Sequence, residues 1–204
     1  MPSQPTPRDW SANRSKDSIE DPRFSSAELL QRQILTFGGG TFRNQVMIGA
    51  EWRIGTDLSG LKFIDCTLSG TDFSHCDLRN CSFVGSRFVV ANFLCANAEG
   101  ADFSKVIGPA SDFMAANLRN ARLIGASIVS SDFRGADLRG ANLSGAVLSE
   151  SRFCAANLEG AILTDAILDG ADFTGATMPD GTLYRDPKAE PIVLPVAKVE
   201  KDAA

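Results

Sequence analysis

The sequence lacks the features that mark exported, membrane-bound or catalytic proteins. No apolar run approaches the roughly 18 residues of a membrane span, and the N-terminus has no apolar signal-peptide core. The sequence also lacks the nucleophile-elbow motif, the phosphate-binding loop, the zinc-protease motif and the dinucleotide-binding glycine motif. We therefore expect a cytoplasmic protein that is not an enzyme and has no cofactor, no membrane partner and no small-molecule substrate.

Charge and cysteine content argue against two further classes of protein. The net charge of −5 is mildly acidic, so a nucleic acid held by a basic face is not expected. The five cysteines are odd in number and lack the close CxxC spacing of a zinc site. We therefore predict neither disulfides nor a metal site for Cys66, Cys76, Cys81, Cys95 and Cys154.

The sequence does contain an unbroken five-residue repeat from Thr56 to Leu183. We call the third residue of each unit its centre. Large apolar residues fill 24 of the 26 centres, and the exceptions are Ala98 and Gly108. We call the position two residues before the centre the small slot, because a small residue occupies it in 24 of the 26 units.

The repeat predicts a coil made of short extended segments and corners. Alternate residues of an extended segment point the same way, so the small slot and the centre face inward and the residue between them faces out. The last two residues of each unit turn the chain, and the fifth is often glycine. A phenylalanine at every twentieth residue indicates four units per coil. This column comprises Phe73, Phe93, Phe113, Phe133, Phe153 and Phe173.

Units such as ADLRG (136–140) and ANLSG (141–145) resemble the pentapeptide-repeat family, whose motif is A(D/N)Lxx. The resemblance covers residues 56–183. It implies an all-β fold, namely a right-handed quadrilateral β-helix (solenoid) of about 26 repeats. The ending ATMPDGT (176–182) is similar to that of many bacterial members, cyanobacterial ones especially.

The flanking sequences complete the predicted domain organisation. A capping box at Ser25–Glu28 favours a helix that covers the first coil. Phe42, Met47 and Trp52 would be centres of degenerate repeats one residue out of frame. The predicted regions are a disordered N-terminal segment (1–22), a capping helix (23–37), degenerate repeats (38–55), the β-helix (56–184) and a C-terminal tail (185–204).

The single histidine, His75, stands next to Cys76, which suggests a cysteine–histidine nucleophilic pair. Cys76 occupies a small slot and should face inward, whereas His75 lies at a corner and should face out. Such a pair needs mutual geometry, so we interpret both as structural residues and predict no catalytic residue.

Four units per coil give four sides, which we number by their first centres: side 1 from Leu58, side 2 from Phe63, side 3 from Leu68 and side 4 from Phe73. Outward residues on sides 1 and 4 are mostly polar, whereas sides 2 and 3 carry aliphatic residues. A contiguous aliphatic patch often marks a contact surface, so we expect this one to bind another protein or a second copy. The candidate contact residues are Ile64, Val84, Val89, Ile107, Pro109, Ile124, Val129, Val147, Ile162 and Ile167.

An alternative hypothesis is that the protein imitates DNA and protects or inhibits DNA gyrase, a type II topoisomerase, as some members of the resembled family do. Its acidic face would be Asp72, Asp112, Asp132 and Asp172 on side 4. A DNA mimic about 30 Å long should carry about eighteen negative charges. Residues 56–183 hold 15 acidic and 9 basic residues, so the scaffold hypothesis is favoured. The other reading of the outward Asp and Asn residues is that they bond nearby backbone amides.

Overall fold

The computed structural model of the protein describes residues 40–185. They form a rod of stacked four-sided coils, in which parallel β-bridges join residues twenty apart, such as Asp112 and Asp132. Within this range two strands are longer than a single bridge, β1 (Thr41–Arg43) and β2 (Lys62–Ile64), and they pair in parallel. The four-sided coil of twenty residues that the phenylalanine column predicts is confirmed, and its right-handed winding stays a prediction.

The predicted disordered segment and capping helix lie outside the described residues, as does the C-terminal tail beyond Arg185. The first described coil instead begins with the out-of-frame centres. Phe42 stacks on Phe63 at 5.5 Å between ring centroids, and Trp52 stacks on Phe73 at 6.2 Å. These pairs are 21 residues apart because one extra residue enlarges the corner that contains Ile54, which is 79% exposed.

The core consists of the centres and small slots, as the repeat predicts. Nine phenylalanines have no exposed surface, and the rings of side 4, from Phe73 to Phe173, stack face to face down the rod. Ring centroids lie 4.6 Å apart for Phe93 and Phe113, and 4.9 Å apart for Phe113 and Phe133. This spacing matches the separation of hydrogen-bonded strands, about 4.8 Å, so each coil adds one ring to the stack.

Every side ends in a tight turn. At most corners the small-slot N–H donates to the carbonyl of the preceding centre, as Ala121 does to Leu118 at 3.1 Å, and the fifth residue has a positive φ. Asn120, for example, has φ 54°. At Gly85 an added Cβ would lie 2.2 Å from Oδ1 of the exposed Asp65 side chain, which would have to move aside.

Buried serines replace the direct turn bond at some corners. The Ser131 N–H donates to the hydroxyl of Ser151 at 3.1 Å, and that hydroxyl donates to the carbonyl of Ile128 at 3.0 Å. Ser86 bridges the corner of the preceding coil on side 2 in the same way. These hydroxyls satisfy buried backbone groups and connect consecutive coils.

Gly108, an exception among the centres, has a structural reason. The ring of Phe88, in the same column one coil earlier, occupies the space that a side chain at residue 108 would need. A Cβ on Gly108 would lie 2.2 Å from Cε2 of Phe88. Phe88 is completely buried, so one oversized centre fills the volume that the next centre leaves.

The prediction that Leu183 is the twenty-sixth centre is wrong. Leu183 is 66% exposed and pairs antiparallel with Thr177, because a turn at Gly181 (φ 81°) reverses the chain. The reversed segment then places Tyr184 on Phe173, with ring centroids 5.7 Å apart. The stacked repeats therefore end one unit earlier than the sequence pattern.

Candidate protein-contact surface

Side 3 brings its candidate contact residues together. Val89, Pro109 and Val129 occupy equivalent positions in consecutive coils, and Ile107 lies on the other edge of the same side. Ile107 is 40% exposed, and the other three are partly buried. Val147 and Ile167 continue the Ile107 column two and three coils further on, after Ser127.

Side 2 does not form a comparable patch. Ile64 and Val84 are neighbours, but Ser104 separates them from Ile124 in the same column. Ile162 ends the other column of this side and follows Asn142. Aliphatic side chains distributed singly in this way are normal on protein surfaces.

The candidate contact residues of side 3 did not include Val90, the exposed aliphatic residue next to Val89. Its side chain is 62% exposed at the corner that follows Val89. Its φ of 57° is in the left-handed region, which β-branched residues strongly disfavour. A β-branched residue at a fifth position, where glycine is frequent, is the sequence signal that could have identified it.

The carboxylates of the acidic face on side 4 form hydrogen bonds and ion pairs with other residues of the chain. Each of its four carboxylates accepts a hydrogen bond from the backbone N–H two residues further on. Asp132 is also paired with the guanidinium groups of Arg134 and Arg152, at 2.7 and 2.6 Å. Hydrogen bonds from the side chain and N–H of Thr174 lower the pKa of Asp172 to about 2. Arg152 itself occupies the acidic column between Asp132 and Asp172.

The outward Asp and Asn column of side 1 serves the turns in the same way. Asp57, Asp77, Asn117, Asp137 and Asn157 each accept a bond from the backbone N–H two residues on. The turn-bonding interpretation is confirmed for these five residues, whereas the sixth member of the column, Asn97, accepts from the side-chain amide of Asn117 at 2.9 Å. The Arg79 and Arg139 guanidinium groups donate to the carboxylates of Asp77 and Asp137, and these bonds lower the pKa of each carboxyl group.

The cysteine–histidine pair is not assembled. Cys76 is 1% exposed, and its burial raises the pKa of the thiol to about 11, whereas His75 is exposed at its corner. Within residues 40–185 no group of three or more His, Cys, Asp or Glu side chains could hold a metal ion. No helix in the same range is long and apolar enough to cross a membrane.

Two family models match the rod. A model of the pentapeptide repeat region matches residues 56–133, and a model of eight pentapeptide repeats matches residues 141–180. The chain belongs to the pentapeptide-repeat family. Comparison with curated protein sequences gives no significant match.

Solved structures that resemble this pentapeptide-repeat chain come from a plant, a cyanobacterium and a resistance plasmid. A pentapeptide-repeat protein of the Arabidopsis thaliana thylakoid lumen is 30% identical over 58% of this chain and 68% of its own, with a TM-score of 0.27. HetL of Nostoc, involved in heterocyst differentiation regulation, is 23% identical over 79% of this chain and 100% of its own (TM-score 0.29). QnrB1, a plasmid-mediated fluoroquinolone resistance protein, is 22% identical over 68% of this chain and 73% of its own (TM-score 0.38).

Proposed function

We propose that this pentapeptide-repeat protein is a non-enzymatic cytoplasmic scaffold or regulator that binds another protein through side 3. The observation that carries the proposal is the continuous aliphatic surface formed by Val89, Val90, Ile107, Pro109 and Val129. We call these five residues the side 3 patch. Apolar surface removed from water contributes about 25 cal/mol per Å², so a partner that covers the patch gains most of its affinity there.

The rigidity of the rod supports this proposal. The backbone of the patch is hydrogen-bonded to the coils on both sides, since the Ile107 N–H donates to the carbonyl of Ser86 at 3.0 Å and the Gly108 N–H donates to that of Ser127 at 2.9 Å. A surface held in this way loses little conformational entropy when it binds. The neighbouring polar residues Arg87 and Lys105 can supply the hydrated rim that surrounds an apolar contact.

The test is a substitution of Val89, Ile107 and Val129 by lysine in the full chain. The three charges should reduce capture of the partner, or self-association, by at least about tenfold, because each would have to be desolvated in the contact. The circular dichroism spectrum should stay that of the wild type, since all three side chains point away from the core. Binding partners are collected from lysate with the wild-type rod, and affinities are then measured with the purified partner.

A matched control carries lysine at Ser59, Ser74 and Met114, which lie on sides 1 and 4. It adds the same three positive charges and should bind as the wild type does. Equal binding by the wild type and the side 3 variant would contradict the proposal. Loss of binding in both variants would indicate a general charge effect and would contradict it too.

The DNA-mimic hypothesis predicts a different pattern in the same experiment. The wild type would inhibit gyrase in a supercoiling assay, and reversing the charge of Asp72, Asp112 and Asp172 would abolish the inhibition. We favour side 3 because Asp132 is already neutralised by two guanidinium groups and Arg152 interrupts the acidic column. A continuous negative field is therefore missing on side 4 within the described rod.

A further inference from the structure

At the C-terminal end of the rod, the described chain covers side 1 and the Phe173 ring of side 4. In inner coils the N–H of each centre donates to the next coil, as Leu143 does to Ile162 at 2.8 Å. In the last coil, the N–H groups of Leu163, Leu168 and Phe173 have no acceptor among residues 40–185. Within the described residues, sides 2, 3 and 4 thus end in an unpaired strand edge, and such an edge is a site for pairing with a further strand.

Sides 2 and 3 also expose apolar side chains at this end. Ile162 is 47% exposed and Ile167 is 46% exposed, and the centres Leu163 and Leu168 are only partly buried. The apolar centre of side 4 is better covered, because the tilted ring of Tyr184 lies against Phe173, which keeps only 7% exposure. A covering segment for sides 2 and 3 is therefore lacking within the described residues.

The reversed segment fixes the register in which the residues after Arg185 would pair with the last coil. Thr177 lies opposite Leu183, the N–H of Met178 donates to the carbonyl of Thr182, and the N–H of Tyr184 donates to the carbonyl of Ala176, both at 2.7 Å. In this antiparallel register, each successive residue of the tail lies opposite the residue one position earlier in the last coil. If the register continues, residues 185–189 run beneath side 4, 190–194 beneath side 3 and 195–199 beneath side 2.

We propose that residues 186–199 of this chain continue the antiparallel register and close the open edge of sides 2 and 3, with Ile192 and Leu194 beneath side 3. The occupant is thus the chain's own C-terminal segment. The tail has nineteen residues after Arg185, and fourteen suffice to pass beneath the three sides. The inference is independent of the function proposed for side 3.

The positions of the prolines fit this register. In the observed part, the residue opposite a small slot donates its N–H to the rod, whereas the residue opposite a centre only accepts. The continued register assigns the donating role to Ala189, Leu194 and Val199, none of which is proline. Proline has no N–H, and the tail prolines all fall where no N–H is needed: Pro187, Pro191 and Pro195.

The distribution of charge fits as well. Positions opposite small slots and centres face inward, and the tail fills all of them with uncharged residues, namely Pro187, Ala189, Ile192, Leu194, Ala197 and Val199. Every charged residue between 185 and 199 falls on an outward or corner position, namely Arg185, Asp186, Lys188, Glu190 and Lys198. The tail thus carries a reversed five-residue pattern that complements the last coil.

Hydrogen exchange on the full-length protein tests the proposal. The amides of Leu163 and Leu168 should be protected in the wild type, because tail carbonyls accept from them. Replacing Ile192 and Leu194 by aspartate should speed their exchange by about tenfold or more, since a charge facing inward releases the tail. The amide of Leu123, bonded to Asn142 two coils away from the end, is the internal reference and should not change.

The matched control replaces the outward neighbours Pro191 and Val193 by aspartate, and it should leave the protection of Leu163 and Leu168 at the wild-type level. Rapid exchange of both amides in the wild type would overturn the proposal. So would equal effects of the inward and outward variants. Protection that rises with protein concentration, together with a dimer in sedimentation velocity, would show that a second copy covers the edge and would overturn the proposal too.

Discussion

Gly108 and Phe88 should be energetically coupled, because the Phe88 ring fills the space that a side chain at residue 108 would occupy. In the wild type the Phe88 ring contacts four other rings edge to face, at centroid distances from 5.2 to 6.4 Å. A leucine at residue 108 would place its Cβ 2.2 Å from Cε2 and 2.4 Å from Cδ2 of this ring. Because Phe88 is fully buried, the ring has no free volume into which it could move.

Two single substitutions and their combination measure this coupling. Gly108→Leu should lower the unfolding free energy by about 2–3 kcal/mol through overpacking. Phe88→Leu should lower it by about 1–2 kcal/mol, since it leaves part of the ring volume empty. The double variant restores a leucine column and should lose only about 1 kcal/mol, which makes the coupling about 2–4 kcal/mol in favour of the pair.

Urea unfolding followed by circular dichroism gives the three free energies. The control combines Gly108→Leu with Phe153→Leu, a centre two coils further on whose ring does not reach residue 108. Effects at separated sites add to within about 0.5 kcal/mol, so this control should show no coupling. Additive losses in the Phe88–Gly108 pair would refute the volume-exchange explanation of Gly108.

Two further outcomes test the core assignment and the buried thiols. Phe113→Ala should cost about 3–5 kcal/mol of unfolding free energy and Asp112→Ala under about 1 kcal/mol, and equal losses in urea unfolding would contradict the inward and outward assignment. Burial raises the pKa of Cys81 to about 12, so its stabilising contribution is complete below pH 9 and is lost as the pH rises through 12. Cys81→Ala should flatten the decline of melting temperature above pH 9, and Cys95→Ala, at an exposed corner, should not.

The sequence predicted the stacked part of the rod well, because each five-residue unit contains its own small slot, centre and corner. Phe113 is buried for the same reason as every other centre, so the period alone places it. Gly108 could not be explained in this way, since its compensation lies in Phe88, twenty residues earlier. The signal was present, because Phe88 is the one phenylalanine in its column, but it is visible only after the coils have been stacked.

The end of the rod was predicted less well. The unit that contains Leu183 satisfies the repeat pattern, and the reversal depends on Gly181 and on Asp180, whose carboxylate accepts from the N–H of Thr182 at 3.0 Å. A repeat count cannot separate a stacked unit from a reversed one when both have a leucine at the centre. The direction of the chain is set by the turn between them.

Val90 gives the strongest reason to place function on side 3. A left-handed conformation costs a β-branched residue about 1–2 kcal/mol, and the equivalent corners at Gly70 and Gly170 avoid this cost. The side chain is 62% exposed, so burial of its apolar surface contributes little to the stability of the fold. Val90→Gly should therefore change the unfolding free energy by less than about 1 kcal/mol, because relief of strain offsets the extra entropy of the unfolded chain. Partner binding should nevertheless fall severalfold, whereas Ala110→Gly at the next corner should leave it unchanged. A clear loss of stability in Val90→Gly with intact binding would assign Val90 to the fold and remove this reason for placing the contact on side 3.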